Sequence, residues 1–192
     1  QNSENQLVDI NKSLTDFTLL QTDTIEIDLD NSQIYWKGTK FGGAGKHEGK
    51  IKLKSGFCIV QNNEIFGGSF IADMKTISVT DMPEHEVIAI SKINNHLKSA
   101  DFFEVERYPT SKFKITRIKK SLNDSIIISG NLTIKNKTKS IKFKASKLSS
   151  NKTLLTNFTI DRFKWDIGSN DNFIKKILVD RDIELTIQLK LQ

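Results

Sequence analysis

Apolar and polar residues alternate with a period of two through most of the chain, the signature of half-buried β-strands. Ile25, Ile27 and Leu29 alternate with Glu26, Asp28 and Asp30, and Ile34 and Trp36 resume the pattern after an Asn31-Ser32 turn. Ile51, Leu53 and Phe57 are separated by Lys50, Lys52 and Lys54; Phe66, Gly68, Phe70 and Ala72 form the next face, with Ile77 and Val79 after them. Phe113 and Ile115 open another strand, and Ile126 and Ile128 lead across Gly130 to Leu132 and Ile134. Ile141, Phe143 and Ala145 follow a turn, then Leu154, Thr156, Phe158 and Ile160, and the chain closes on Ile183, Leu185, Ile187, Leu189 and Leu191. This predicts eight or nine antiparallel strands, hence a barrel or a sandwich.

One segment breaks the alternation. In residues 84–99, Val87, Ile90, Ile93 and Leu97 recur at three- and four-residue steps behind Pro83, which predicts a single inserted helix. A short connection, DFFEVERYP, leads back to strand. The Gly-rich GTKFGGAGKHEG lacks the Gly-Lys-Ser/Thr of a phosphate loop and is not followed by a helical pattern, so it reads as a flexible hairpin. Residues 1–23 are polar with scattered apolar positions and read as an extension or linker before a barrel domain at 24–192.

At 192 residues the chain suits one domain, and no stretch approaches the length of uncharged apolar sequence that a membrane-spanning helix needs. The formal net charge of +6 is spread as single lysines between apolar residues, as in KIKLK and IKFK. That is the habit of a solvated sheet face. Nucleic-acid binding is disfavoured because arginine is scarce.

The lone cysteine, Cys58, excludes an internal disulfide and reads as a small core residue. His47 and Glu48 are adjacent, so on a strand they face opposite ways, and His85 and His96 stand three helical turns apart. No catalytic, metal or cofactor constellation emerges. Arg162 shares its parity with Phe158 and Ile160 and is expected at the barrel interior or rim. Its partner there is expected to be a carboxylate, with Asp166 a better candidate than the outward Asp161, or a ligand head group. Phe102 and Phe103 are expected beneath the helix, capping the core or lining a pocket entrance.

The block INNHLKSADFFEVERYPTSKFKITRI resembles the YceI-like family, and YWKGTKFGGAGKHEGKIKLKSG, SGNLTIKNKTKSIKF and FTIDRFKWDIG match further blocks in the expected order. Asn136, where the family usually has glycine, and FKWDIG are departures at turns or strand ends. The resemblance covers residues 24–192. It implies an all-β, lipocalin-like, eight-stranded antiparallel barrel with one helix, in bacterial, exported proteins that hold isoprenoids or other amphiphilic lipids.

On that basis the barrel is expected to bind a long-chain amphiphile as a carrier or sequestering protein, outside the cytoplasm, in the periplasm or beyond. It needs no cofactor, no catalytic residue and no metal; a homodimer is compatible with it. The expected lipid contacts are Trp36, Phe57, Phe70, Leu97, Phe102, Phe103, Phe113, Leu132, Phe143, Phe158 and Ile160, with Arg162 at the head group. Such a site should hold a chain of about ten carbons, since burial contributes about 0.8 kcal/mol per CH₂. The alternatives are a solid barrel serving as a structural or adhesive surface domain, and a lipid-modifying enzyme using His47, Asp161 and Arg162.

Overall fold

A computed structural model describes residues 22–62, 64–121, 123, 125–146, 152–168 and 179–192; the expected extension at 1–23 thus lies almost wholly outside the described residues. The strands are β1 (Asp23–Glu26), β2 (Gln33–Lys40), β3 (Gly45–Gln61), β4 (Glu64–Val79), β5 (Thr110–Lys120), β6 (Ser125–Ile134), β7 (Lys137–Ser146), β8 (Thr153–Asp161) and β9 (Val179–Lys190). All pairings are antiparallel. The order β3-β2-β9-β8-β7-β6-β5-β4 returns to β3 and closes the sheet into an eight-stave barrel. The short β1 pairs with the far half of β3, Ile27 bridges to Leu191, and β2 takes the near half. β1 and β2 are therefore one stave, split where the Asp28 carboxylate accepts from the backbone N–H groups of Asp30 and Asn31.

Barrel closure buries alternate residues on one side, which is why the period-two pattern was so regular. It breaks where the register does. β3 carries one extra residue between Leu53 and Ser55, and β4 carries one opposite Ile59–Val60. A β-bulge reverses which side the following residues face. Lys54 and Ser55 both face solvent, Cys58 turns in, and Phe57, expected inside, turns out at 37% exposure. Phe66 is turned out in the same way, while Gly68, Phe70 and Ala72 stay inside as their parity suggested.

The helix α1 (Val87–Lys98) lies within the expected span. It docks on β4 by the Val79 N–H donating to Asn94 Oδ1 at 2.8 Å, and it buries Leu97; Val87 and Ile88 of its first turn are exposed. The chain then folds back on the helix end, with the Phe103 and Val105 N–H groups donating to the Leu97 and Lys98 carbonyls. That turn drives Phe102 and Phe103 inward, their rings edge to face at 5.1 Å.

The helix, the β2–β3 and β6–β7 hairpins and residues 162–168 after β8 stand at one end of the barrel; the β3–β4 and β5–β6 hairpins and Leu191 stand at the other. The core follows this division. One cluster gathers Trp36, Met74, Ile77, Trp165 and Ile167 beneath the helix, and another gathers Ile27, Cys58, Val60, Phe70 and Leu191 at the far end. Cys58 is buried, and burial pushes its thiol up to about 12.

Candidate ligand-binding cavity

Between the two clusters lies a cavity of about 150 Å³ with almost wholly apolar walls. From β2, β4 and β5 it takes Trp36, Phe70 and Phe113; from β6 to β8 it takes Leu132, Phe143, Phe158 and Ile160. Leu97, Phe102 and Phe103 close it beneath the helix. Every expected chain contact lies in this wall except Phe57, which the β3 bulge carries to the outer surface, and Arg162, expected at the head group, is not part of it. Met74, Ile77, Ile183 and Leu185 also line it. The two on β9, and Ile77 on β4, were visible in the strand parity; Met74 was not singled out, and the irregularity around Lys75 and Thr76 turns both it and Ile77 inward.

The volume is smaller than expected. An apolar cavity of about 150 Å³ accommodates a benzene-sized molecule, short of a chain of about ten carbons. The closed barrel has room for one end of a slender chain.

Glycine makes the wall possible at two places. Gly49 lies opposite Trp36, and any Cβ there would run into the Ser78 carbonyl and the indole ring. Gly130 lets the Phe113 ring lie across β6 toward Phe143, centroids 5.5 Å apart. Two buried polar atoms in the wall, Trp36 Nε1 and Ser111 Oγ, meet no hydrogen-bond partner among the described residues, whereas Trp165 Nε1 donates to the Leu132 carbonyl at 3.1 Å.

Arg162 sits in the 3-10 turn Arg162–Trp165 and is 1% exposed, on the inward side that its parity indicated. Among the described residues its guanidinium donates to backbone carbonyls: Nε to Asp180, Nη1 to Ile167 and Gly168, and Nη2 to Val179, at 2.7–3.3 Å. The Phe163 ring covers it at 4.2 Å. It thus clamps the turn after β8 to the start of β9. Asp166, the expected partner, pairs with Lys137 at 2.5 Å. Asp161 faces outward to Arg181, and His47 meets Asp81 at 3.4 Å away from the cavity wall.

Asp180 braces the cavity wall beside Gly38. Its carboxylate accepts from the Thr39 hydroxyl and from the Gly42 and Gly43 N–H groups, tying the Gly-rich hairpin to β9. Gly42 and Gly43 have φ of 65° and 96°, a conformation glycine adopts without strain. These bonds, the Thr39 hydroxyl first, hold the Asp180 carboxyl below its ordinary value of 3.8, and the Arg162 charge adds to them. A carboxyl with a lowered folded value stabilises the fold above its unfolded value, and that contribution is lost as the pH falls. Urea midpoints of wild type and Asp180→Asn should therefore differ at neutral pH and converge as the pH drops below 3.8.

The model of the YceI-like domain matches residues 26–191. The chain belongs to this family. Among curated YceI-like relatives, UPF0312 proteins of Pseudomonas putida and Pseudomonas aeruginosa are 38% identical over 53 residues and 35% over 85. These matches span 28% and 42% of this chain, and 28% and 44% of the relatives' own length. The YceI-like barrel also superposes on Burkholderia cenocepacia BcnA with a TM-score of 0.67 at 16% identity, covering 85% of this chain and 98% of that one. A Campylobacter jejuni YceI protein gives 0.51 at 20% identity, covering 68% and 74%. At such identities these two likenesses speak for the fold.

Proposed function

We propose that this YceI-like barrel binds a slender amphiphilic lipid, an isoprenoid or similar long-chain molecule, as an extracytoplasmic carrier or sequestering protein. The observation that carries this reading is the closed barrel with an apolar internal cavity roofed by Phe102 and Phe103. Excluding water from an alkyl or prenyl end needs no catalytic group. No histidine lines that cavity among the described residues, which favours binding over turnover. In this reading the cavity takes only one end of the chain, and the remainder extends beyond it.

Native mass spectrometry of the purified protein, with organic extraction of what it carries, is the direct test. A co-purifying lipid supports the reading; failure of every added alkane, alcohol and prenol to bind overturns it. Phe103→Ala should then speed release of a bound fluorescent lipid several-fold with a smaller effect on melting temperature. An unchanged off-rate would remove the segment after α1 from the ligand's path.

A further inference from the structure

The barrel's charge is unevenly placed. Lys112, Lys114, Arg117 and Lys119 of β5 and Lys142 and Lys144 of β7 are all exposed. No aspartate or glutamate stands anywhere in β5, β6 or β7. The register aligns four of the cations in two rows with one β6 residue between: Arg117 pairs with Ser129 and Ser129 with Lys142, while Lys119 pairs with Ile127 and Ile127 with Lys144. Among the described residues none of the six meets a carboxylate within ion-pair distance. Lys120 at the end of β5 pairs with Glu64 of β4, whereas across the barrel β9 carries Asp180, Asp182 and Glu184. Like charges held in rows repel one another, and the gain that offsets this comes from an anionic partner.

The basic face ends at an unusual seam. β6–β7 and β8–β9 pair along their length, but β7 and β8 share a single register pair, Ala145 with Thr156. Side chains substitute locally, with Thr156 Oγ1 donating to the Lys144 carbonyl and the Leu155 N–H donating to Ser146 Oγ. Beyond that pair the two strands meet through Phe143 and Phe158, stacked with centroids 4.3 Å apart and planes 8° from parallel. Both rings are only partly buried and both line the cavity. The barrel wall here is two side chains thick in place of a hydrogen-bonded ladder, and side chains change rotamer far more readily than a ladder breaks.

We propose that the β5–β7 face docks on an anionic lipid surface and presents the β7–β8 seam to it as the lateral passage between bilayer and cavity. The docking half stands on the charge pattern alone, and the passage half rests on the lipid-binding reading above. The favoured partner is a flat anionic bilayer. The cations are mostly lysines, point charges that suit a surface of many head groups, and the exposed face lacks the aromatic side chains on which single-stranded nucleic acid stacks.

The test is co-sedimentation with phosphatidylcholine vesicles, with and without one-third phosphatidylglycerol, at low and high salt. Wild type should bind the anionic vesicles at least tenfold more tightly than the neutral ones and lose that preference in half-molar salt. The quadruple change Lys112→Glu, Lys114→Glu, Lys142→Glu, Lys144→Glu should abolish binding, whereas Lys50→Glu with Lys52→Glu on β3 should leave it within about twofold. Equal binding to both vesicle types, equal loss with the β3 pair, or tighter binding to a DNA duplex than to the vesicles would overturn the docking face. The quadruple variant's far-ultraviolet circular dichroism must match wild type, and single reversals, each expected to weaken binding severalfold, serve where it does not.

For the passage, a Ser140→Cys, Thr159→Cys pair, both exposed on the outer side of the seam and outside the cavity wall, bridged by a short bis-maleimide should slow transfer of a dansyl-labelled prenol from anionic vesicles at least tenfold while leaving its final occupancy unchanged. Unchanged transfer in the bridged protein would overturn the passage. No uptake of the prenol by unmodified protein would instead overturn the lipid-binding reading, and vesicle docking would still stand or fall by itself.

Discussion

Replacing Arg162 by methionine is expected to cost about 3–5 kcal/mol of stability, because several backbone carbonyls lose the one buried side chain that donates to them. The carbonyls of Ile167, Gly168, Val179 and Asp180 would lose a shared donor, and each buried acceptor left unmade costs about 1–3 kcal/mol before any relaxation. Lysine should rescue little, because one ammonium cannot span the carbonyls that a planar guanidinium reaches from three nitrogens. The Gly168 position reinforces this: its φ is 63°, and a Cβ there would lie 2.5 Å from Arg162 Nη1. Chemical denaturation checks the expectation. A variant of wild-type stability with altered preference among lipid head groups would restore a ligand-contacting role to Arg162.

Phe70→Ala should be comparably severe, about 3–5 kcal/mol, since the ring is 7% exposed and packs over Gly56 and Gly68 as well as facing the cavity. Phe143→Ala should cost less, because its ring is only partly buried and its stacking partner Phe158 can shift toward it. The two variants separate packing from ligand contact. Loss of stability with ligand affinity kept assigns a ring to the core, whereas a changed affinity at modest loss of stability assigns it to the ligand. For Phe70 the first pattern is expected, and for Phe143 the second.

How far these roles were legible from sequence depended on what carries them. Strand alternation and the three-to-four spacing before Leu97 are properties of side chains, so the barrel and its helix could be read directly. Bulges are properties of pairing between strands. Nothing near Lys54 in β3 or Phe66 in β4 distinguishes a residue that continues the alternation from one that resets it, so Phe57 and Phe66 came out on the wrong side. Arg162 shows the same division within one residue. Its inward direction followed from parity, but its partners among the described residues are main-chain oxygens, which every residue possesses and no sequence pattern marks. The cavity's small size and the thin β7–β8 contact arise from how eight staves close, and the lysines beside that contact looked like ordinary solvated positions until register placed them in rows.

The burial of Cys58 has a practical use. With its thiol pushed to about 12 and its sulfur at the packed far end of the barrel, it holds almost no thiolate at neutral pH. Maleimide labelling of the native fold should pass it by. The wild-type chain then serves as its own unreactive background, and one cysteine introduced at position 142 or 155 could carry a fluorophore or spin label as the sole reporter.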